Sequence, residues 1–372
     1  MNRLACTLLA LTLLTGCSDS SSSKTDTTPS GRLTLTGIEG LDYRTASQSA
    51  RTATSGRFRY FSGETVTFQL GELLLGEDVP TAPILTPLDF FPEMRQLLLQ
   101  PTVDAEGLLS HKPSEEALIE DSALINKTRL LMVLNRELGT NTGRGIVLTE
   151  RVRSQFEQLY TERTEDIDFA VSINQFAQRA DSTQEIDDSP ANRIVQAICF
   201  FPTDDSRCDT PPSLEDIEQA PPPPEDSADR DPDIDYRDDL ERRRNHIVGA
   251  RRSLESVTTD DVKRLLRREL ELASVSLADQ FYLSQATARL DHRDQTVKHL
   301  TLLKIGGIAE IDSIEAISTE ESAVAIHYTN AETATVGYFL TGGAGDEATL
   351  LVSFRPAGEY RWVRKSLRVI LD

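Results

Sequence analysis

Apolar and polar positions alternate with a period of two near both ends of the chain and recur at helical spacing between them. Leu33 and Leu35 alternate with polar neighbours, as do Phe58 and Tyr60. After Ser62-Gly63-Glu64 the same period resumes at Val66, Phe68 and Leu70, which predicts a β-hairpin with one apolar face. Gly37, Gly40, Gly56, Gly71 and Gly76 punctuate the stretch, so a small β-sandwich-like module is the expected packing. Thr86-Pro87 supplies an N-cap and a first-position proline for a short helix from Leu88. Ser114 opens a longer helix carrying Leu118, Leu124, Ile125, Leu131, Leu134 and Leu138. Thr149 precedes another with Val152, Phe156, Leu159 and Tyr160 on one face. Ile173, Phe176, Ala177 and Ala180 mark a fourth, and Ser189-Pro190 caps a fifth with Ile194, Val195 and Ile198. These stripes read as the faces of a bundle core rather than as a partner groove.

Further on, acids precede arginines in a helix around residues 238–252, which suits the helix macrodipole. Thr258 and Asp261 form a capping-box pattern before Val262, Leu265, Leu266 and Leu270, and a further helical segment is predicted through Leu277 to Leu290. The period then returns to two, at Val324, Ile326 and Tyr328, at Val336, Tyr338 and Leu340, at Leu350, Val352 and Phe354, and over Val363 to Leu371. Gly-rich and Pro-Ala-Gly turns between these runs point to a four-stranded antiparallel meander packed on the helices.

Composition alters this picture between the helices. From Asp204 to Glu241 there are fifteen acidic residues against three basic ones, with Pro211-Pro212 and Pro221 to Pro224 inside the run. Such a segment is expected to be an exposed, extended linker, with the arginines at 242–244 folding back on it. The net charge of −21 argues against nucleic acid or anionic lipid as a main partner.

The first residues carry an address. Arg3 and the apolar run Leu4 to Leu14 have the charge and length of a signal peptide, too short to span a bilayer. Leu14-Thr15-Gly16-Cys17 resembles the lipobox of bacterial lipoproteins, which implies a cut after Gly16 and acylation of Cys17. At about 0.8 kcal/mol per buried CH₂, two or three acyl chains hold a soluble body durably on a membrane. In that family Ser after the cysteine favours the outer membrane, and Ser18 stands there. No second apolar stretch is long enough to cross a bilayer, so a permease or channel is not expected. Cys6 leaves with the leader, and the remaining pair, Cys199 and Cys208, reads as a disulfide in an oxidising compartment.

A second resemblance lies in Gly40-Leu-Asp-Tyr-Arg-Thr and in Gly56-Arg-Phe-Arg-Tyr-Phe-Ser-Gly-Glu-Thr-Val-Thr-Phe-Gln-Leu-Gly71, followed by Thr86-Pro87-Leu88-Asp89. This resembles a module of bacterial lipoproteins and adhesin-like surface proteins, similar to the transthyretin-like, carboxypeptidase-regulatory β-sandwich, over about residues 33–146. The resembling family often carries an Asp-rich loop suited to calcium. Here the flanks match, but Asn135 to Arg144 holds two arginines and no aspartate, so no calcium site is carried over.

Candidate chemistry is sparse. His111, His246, His292, His299 and His327 form no recognised zinc pattern, and His292 with His299, near Asp291 and Asp294, is a weak metal pair. Alternating Asp229, Asp231, Asp233 and Asp235 fail the EF-hand pattern at Tyr236 and Arg242. No nucleophile elbow or phosphate loop is present. Trp362 reads as a binding aromatic or as cover for a core.

The expected organisation is α+β and multidomain. A leader over 1–16 is followed by lipidated Cys17 with a polar tether to residue 30, a β-sandwich-like module over 31–85 and a helical region over 86–201. An acidic Pro-rich linker over 202–236 then leads to helices and antiparallel sheet over 237–372. The expected function is that of a non-enzymatic envelope lipoprotein of the outer membrane, facing the periplasm or the cell surface. It would bind an envelope or surface protein or a glycan, with no cofactor and no metal. The competing readings are an envelope hydrolase and a solute- or lipid-binding accessory of a transport system.

Overall fold

The computed structural model describes residues 28–138, 143–180 and 186–372. The leader, Cys17 and the tether as far as residue 27 lie outside them. The chain is α+β, with strand sheets at both ends and helices between.

The first strands are Ser30–Leu33 (β1), Ile38–Glu39 (β2), Asp42–Arg44 (β3), Ser49–Arg51 (β4), Arg57–Arg59 (β5), Thr65–Leu70 (β6), Leu73–Pro80 (β7) and Ile84–Leu85 (β8). They build one sheet in the order β5-β1-β8 and a second in the order β4-β3-β6-β7. The expected hairpin does not form as read: β5 pairs with β1, while β6 pairs with β3 and β7 in the other sheet. A period of two says which face is buried, not which neighbour is bonded. Phe58 and Phe68 meet edge to face instead, ring centroids 5.4 Å apart. The hairpin present is β6–β7, turning at Gly71, whose φ of 57° favours glycine.

A 3₁₀ turn at Pro87–Phe90 follows, closed by the Thr86 amide (2.6 Å) and hydroxyl (2.9 Å) donating to the Asp89 carboxylate. Next come Pro92–Leu98 (α1), Thr102–Val103 (β9), Leu109–Ser110 (β10), Lys112–Leu118 (α2), Ser122–Leu134 (α3), Ile146–Val147 (β11), Glu150–Thr161 (α4), Ile173–Phe176 (α5) and Pro190–Ala197 (α6). The single helix expected from Ser114 is two helices. Asp121 ends the first segment and caps α3 by accepting the Leu124 amide at 3.0 Å. Leu138 falls beyond α3 and is exposed. From Leu124 to Leu134 α3 is buried around its whole circumference, so it is the spine of the lobe.

The acidic segment is not an extended spacer. Leu214–Gln219 (α7) forms within it, and Ile217 and Tyr236 are buried. The segment runs along Arg237–Gly249 (α8) as a strap. Arg244 donates to the Pro212 carbonyl (2.7 Å), Arg237 to that of Glu218 (3.1 Å), and Arg243 approaches Asp209 (3.4 Å). The arginines thus supply the fold-back contact that the composition suggested.

Thr259–Ala278 (α9) opens on the Thr258–Asp261 capping box. Its first turns place Val262, Leu265, Leu266 and Leu270 in the same core as Leu33 and Leu131, whereas Leu277 belongs to a second core that runs to Leu371. The boundary between cores therefore falls inside α9, not at residue 236. The apolar stripe of α9 packs beside α3, and its buried Glu269 accepts the amides of Leu35 and Thr36, each at 3.1 Å.

The second lobe is all β: Phe281–Leu283 (β12), Thr287–Leu290 (β13), Lys298–Lys304 (β14), Ile311–Ser318 (β15), Val324–Asn330 (β16), Thr335–Leu340 (β17), Glu347–Pro356 (β18) and Val363–Leu371 (β19). The helix expected through Leu277 to Leu290 stops at Ala278. Beyond it Phe281 is buried and Tyr282 exposed, which is strand alternation. The four expected strands are present but shared between two sheets, β12-β14-β17-β16 and β13-β19-β18-β15, with β13 parallel to β19. Two faces of apolar alternation close on each other as a sandwich rather than lying in one meander.

Candidate functional site

A cleft of about 480 Å³, open to solvent, lies where the two cores meet. The start of α2, the last turns of α9 and the entry to β19 form its walls. Its floor is His111, which is 1 % exposed. The Trp362 backbone N–H donates to His111 Nδ1 at 2.9 Å, and His111 Nε2 lies 3.1 Å from Ser274 Oγ. A backbone N–H can only donate, so Nδ1 must accept. The hydrogen-bond pattern thereby assigns the proton of the neutral ring to Nε2, pointing at the serine oxygen.

Burial, with Arg361 and Lys112 adding to it, pushes the His111 pKa down to about 3. The ring is neutral at pH 7, so its 3.7 Å approach to Glu115 is not an ion pair there. Burial raises the Glu115 pKa, and the facing Arg361 and Tyr360 oppose that rise. Tyr360 donates to Glu115 at 2.8 Å, and the Arg361 Nε is 3.6 Å from the same carboxylate. Burial likewise works against the Arg361 charge, and the facing Tyr360, Glu115, Asp89 and Glu359 outweigh it.

At the rim, Arg364 joins Asp104 and Glu106, and Lys112 meets Glu271 at 3.1 Å. Ser353 donates to the Leu109 carbonyl at 3.1 Å. Nε1 of Trp362 is buried and has no hydrogen-bond partner among the described residues.

A histidine, a serine and a glutamate therefore come together, but not as a hydrolytic triad. A general base needs a free lone pair on the nitrogen that faces the nucleophile. Here that nitrogen carries the proton, the other lone pair is occupied by the Trp362 amide, and the carboxylate sits on the wrong side of the ring. What the arrangement does chemically is pin three segments of two lobes to one buried ring.

Of the residues singled out from the sequence, His111 and Trp362 line this cleft and the others lie elsewhere. Cys17 is outside the described residues. Cys199 and Cys208 are bonded to each other, Cα atoms 5.4 Å apart, and Gln155 of α4 holds Cys199 by two hydrogen bonds of 3.0 Å. His292 and His299 do not meet: His292 Nδ1 is 2.8 Å from the Asp372 carbonyl, and His299 Nδ1 is 2.9 Å from the Tyr328 hydroxyl. Among the described residues no group of three His, Cys, Asp or Glu is placed to hold a metal ion, the alternating aspartates included. Trp362 covers the core edge, being largely buried. Sequence reasoning weighed His111 only as a metal ligand, because its neighbours Ser110, Lys112 and Pro113 carry no signal of burial.

No family model and no curated protein matches the chain. Among solved structures, domains 4 and 5 of the S-layer protein SbsC align over 24 % of this chain and 50 % of that one, at 11 % identity and a TM-score of 0.18. Domains 1-6 of surface layer protein SbsC align over 25 % and 13 %, again at 11 % identity and a TM-score of 0.18. Likeness at that level carries no statement about this chain. No helix among the described residues is long and apolar enough to cross a membrane.

Proposed function

We propose that this chain is a lipid-anchored protein of the bacterial envelope that works by binding rather than by catalysis. In this reading Cys17 carries the acyl chains in the outer membrane. The β-module of residues 31–85, which resembles the transthyretin-like module of surface lipoproteins, is presented to an envelope protein or glycan. The observation that carries the proposal is Leu14-Thr15-Gly16-Cys17 closing a short apolar run behind Arg3. Two structural facts agree with it. The Cys199–Cys208 bond suits an oxidising compartment. The His111 ring, with its proton directed at Ser274, has no base to offer a nucleophile.

Growth with an alkyne fatty acid, followed by fluorophore coupling and membrane fractionation, tests the anchor. The native protein is expected to take up label and to sediment with outer-membrane fractions, and Cys17→Ala to lose the label. Label persisting in Cys17→Ala, or absent from the native protein, overturns the reading. In-cell crosslinking of the labelled protein then identifies what it binds.

A second reading has one observation in its favour. The cleft volume is in the range that holds small ligands, and Trp362 is one of its lining residues. Trp362 is the single tryptophan, so a screen of sugars and amphiphiles by intrinsic fluorescence reads this site directly. No shift with any of them removes the solute-binding alternative.

A further inference from the structure

The second lobe carries a cluster of exposed apolar side chains at one end. Ile305 and Ile308 are 66 % and 82 % exposed. They flank Gly306 and Gly307, where an added Cβ would meet nothing within 4 Å, so the turn stands clear of the body. Behind it, Tyr282 and Leu303 face each other across β12 and β14 and are also exposed on the outer side of the sheet. The turn is held in place, because the Ile305 amide donates to the Gln280 carbonyl at 2.8 Å. A fixed, projecting group of three aliphatic side chains and a tyrosine, with Lys304 at its base, marks a surface that something covers. It also has the make-up of a bilayer contact, with aliphatic groups for the acyl region and Tyr and Lys for the headgroups.

The turn and the point where the tether enters are linked through the loop that carries Ala357 and Glu359. The Pro29 carbonyl accepts the Tyr60 amide at 3.2 Å. Tyr60 is within electrostatic reach of Glu359, and Glu359 within that of Lys304, the residue before Ile305. The Ala357 amide donates to the Glu310 carbonyl at 3.0 Å, joining the two loops concerned. Cys17 precedes Pro29 by twelve positions, a stretch that spans at most about 40 Å. An acyl anchor on Cys17 therefore keeps the entry point within about 40 Å of its bilayer, within reach of this turn.

We propose that the turn Ile305-Gly306-Gly307-Ile308, backed by Tyr282 and Leu303, dips into the same membrane that the Cys17 anchor occupies and so sets the orientation of the body on it. The inference rests on the anchored reading above. With a net charge of −21 the protein has no general attraction to an anionic surface. The contact is apolar, made effective by the high local concentration that the tether imposes.

The protein purified with its anchor is reconstituted into vesicles of phosphatidylethanolamine with a minor share of phosphatidylglycerol and brominated phosphatidylcholine. One sample carries Ile308→Trp and another Leu214→Trp, an exposed position on α7; Trp362 supplies the same buried background in both. Loss of most of the added emission for Ile308→Trp, none for Leu214→Trp, and recovery when Ile305→Asp is combined with Ile308→Trp, supports the proposal. Flotation with the vesicles but no quenching at position 308 overturns the contact and leaves the anchor standing. A blue-shifted, unquenched reporter that depends on protein density assigns the turn to a second copy and likewise overturns it. Equal quenching at both positions overturns it as well. Failure of the protein to float overturns the anchor and the contact together.

Discussion

His111 shows how one side chain is tuned by where it is packed. Its conjugate acid is disfavoured by burial first and by Arg361 and Lys112 second, which lowers its pKa from 6.5 to about 3. Between those values the unfolded chain binds a proton that the folded chain does not. Its stabilising effect is therefore intact above pH 6.5 and lost as the pH falls towards 3, with a full span on the order of 5 kcal/mol. His111→Gln can still accept from Trp362 and donate to Ser274, so its acid limb, followed by urea unfolding at stepped pH, is expected to be shallower than that of the native protein. Superimposable limbs would remove His111 as a source of the pH dependence. Lys127 is the basic counterpart. It lies inside α3 with its ammonium group bonded to the Leu75 carbonyl and over the Phe91 ring at 4.3 Å, and burial lowers its pKa to about 8. A depressed lysine costs stability below pH 8, and the cost is relieved as the pH rises towards 10.5. Lys127→Met is expected to abolish this alkaline gain, on the order of 3 kcal/mol, and to show little loss at pH 7. A native-like alkaline slope in the variant refutes the assignment. Neither residue was legible in the sequence. Helical spacing describes one stripe, whereas α3 is enclosed on all sides, and no local pattern reports that.

At the scale of elements, what was legible is what local chemistry determines. Thr149, Ser189-Pro190 and Thr258 with Asp261 each start a helix where their capping groups said one would start, whereas Thr86-Pro87 opens a single 3₁₀ turn and the helix follows only at Pro92. These are contacts within one turn, so the sequence contains both partners. Partner choice between strands is not local. Phe58 and Phe68 are correctly inward, yet they sit in different sheets, and the strands of the second lobe are divided in the same way. The end of α9 was misplaced because apolar residues continue past Ala278 and only the switch from a helical stripe to alternation marks it. The stripe itself makes a sharp prediction. Leu266 is 1 % exposed within the first core, so Leu266→Ala is expected to cost about 2–5 kcal/mol in urea unfolding. Val275→Ala, on the same helix but 45 % exposed, should stay within about 1 kcal/mol of the native protein. Similar losses at both positions would mean that α9 is not the shared strut described.

Across the whole molecule, the two lobes are joined by a continuous helix, by hydrogen bonds around His111 and Glu115, and by ion pairs at the cleft rim. Junctions of that kind permit relative motion unless specific contacts restrain it. One restraint at the cleft mouth is the rim clasp, in which Arg364 at the entry to β19 holds Asp104 and Glu106, next to the β9–β10 hairpin of the first lobe. Burial alone would raise the Asp104 pKa, but hydrogen bonds from Arg364 and from the Leu108 and Glu106 amides outweigh it, so the carboxylate stays charged and the clasp engaged at neutral pH. Its groups are partly solvated, so its worth is about 1 kcal/mol or less. That is too little to affect folding but enough to change how often the cleft mouth opens, by roughly five-fold. Arg364→Ala is therefore expected to raise amide hydrogen exchange over residues 102–110 by about that factor while leaving α3 unchanged. Native-like protection at 102–110 would show that the buried His111 and Glu115 contacts alone keep the lobes together. A parallel rise in α3 would show that the clasp stabilises the first core itself.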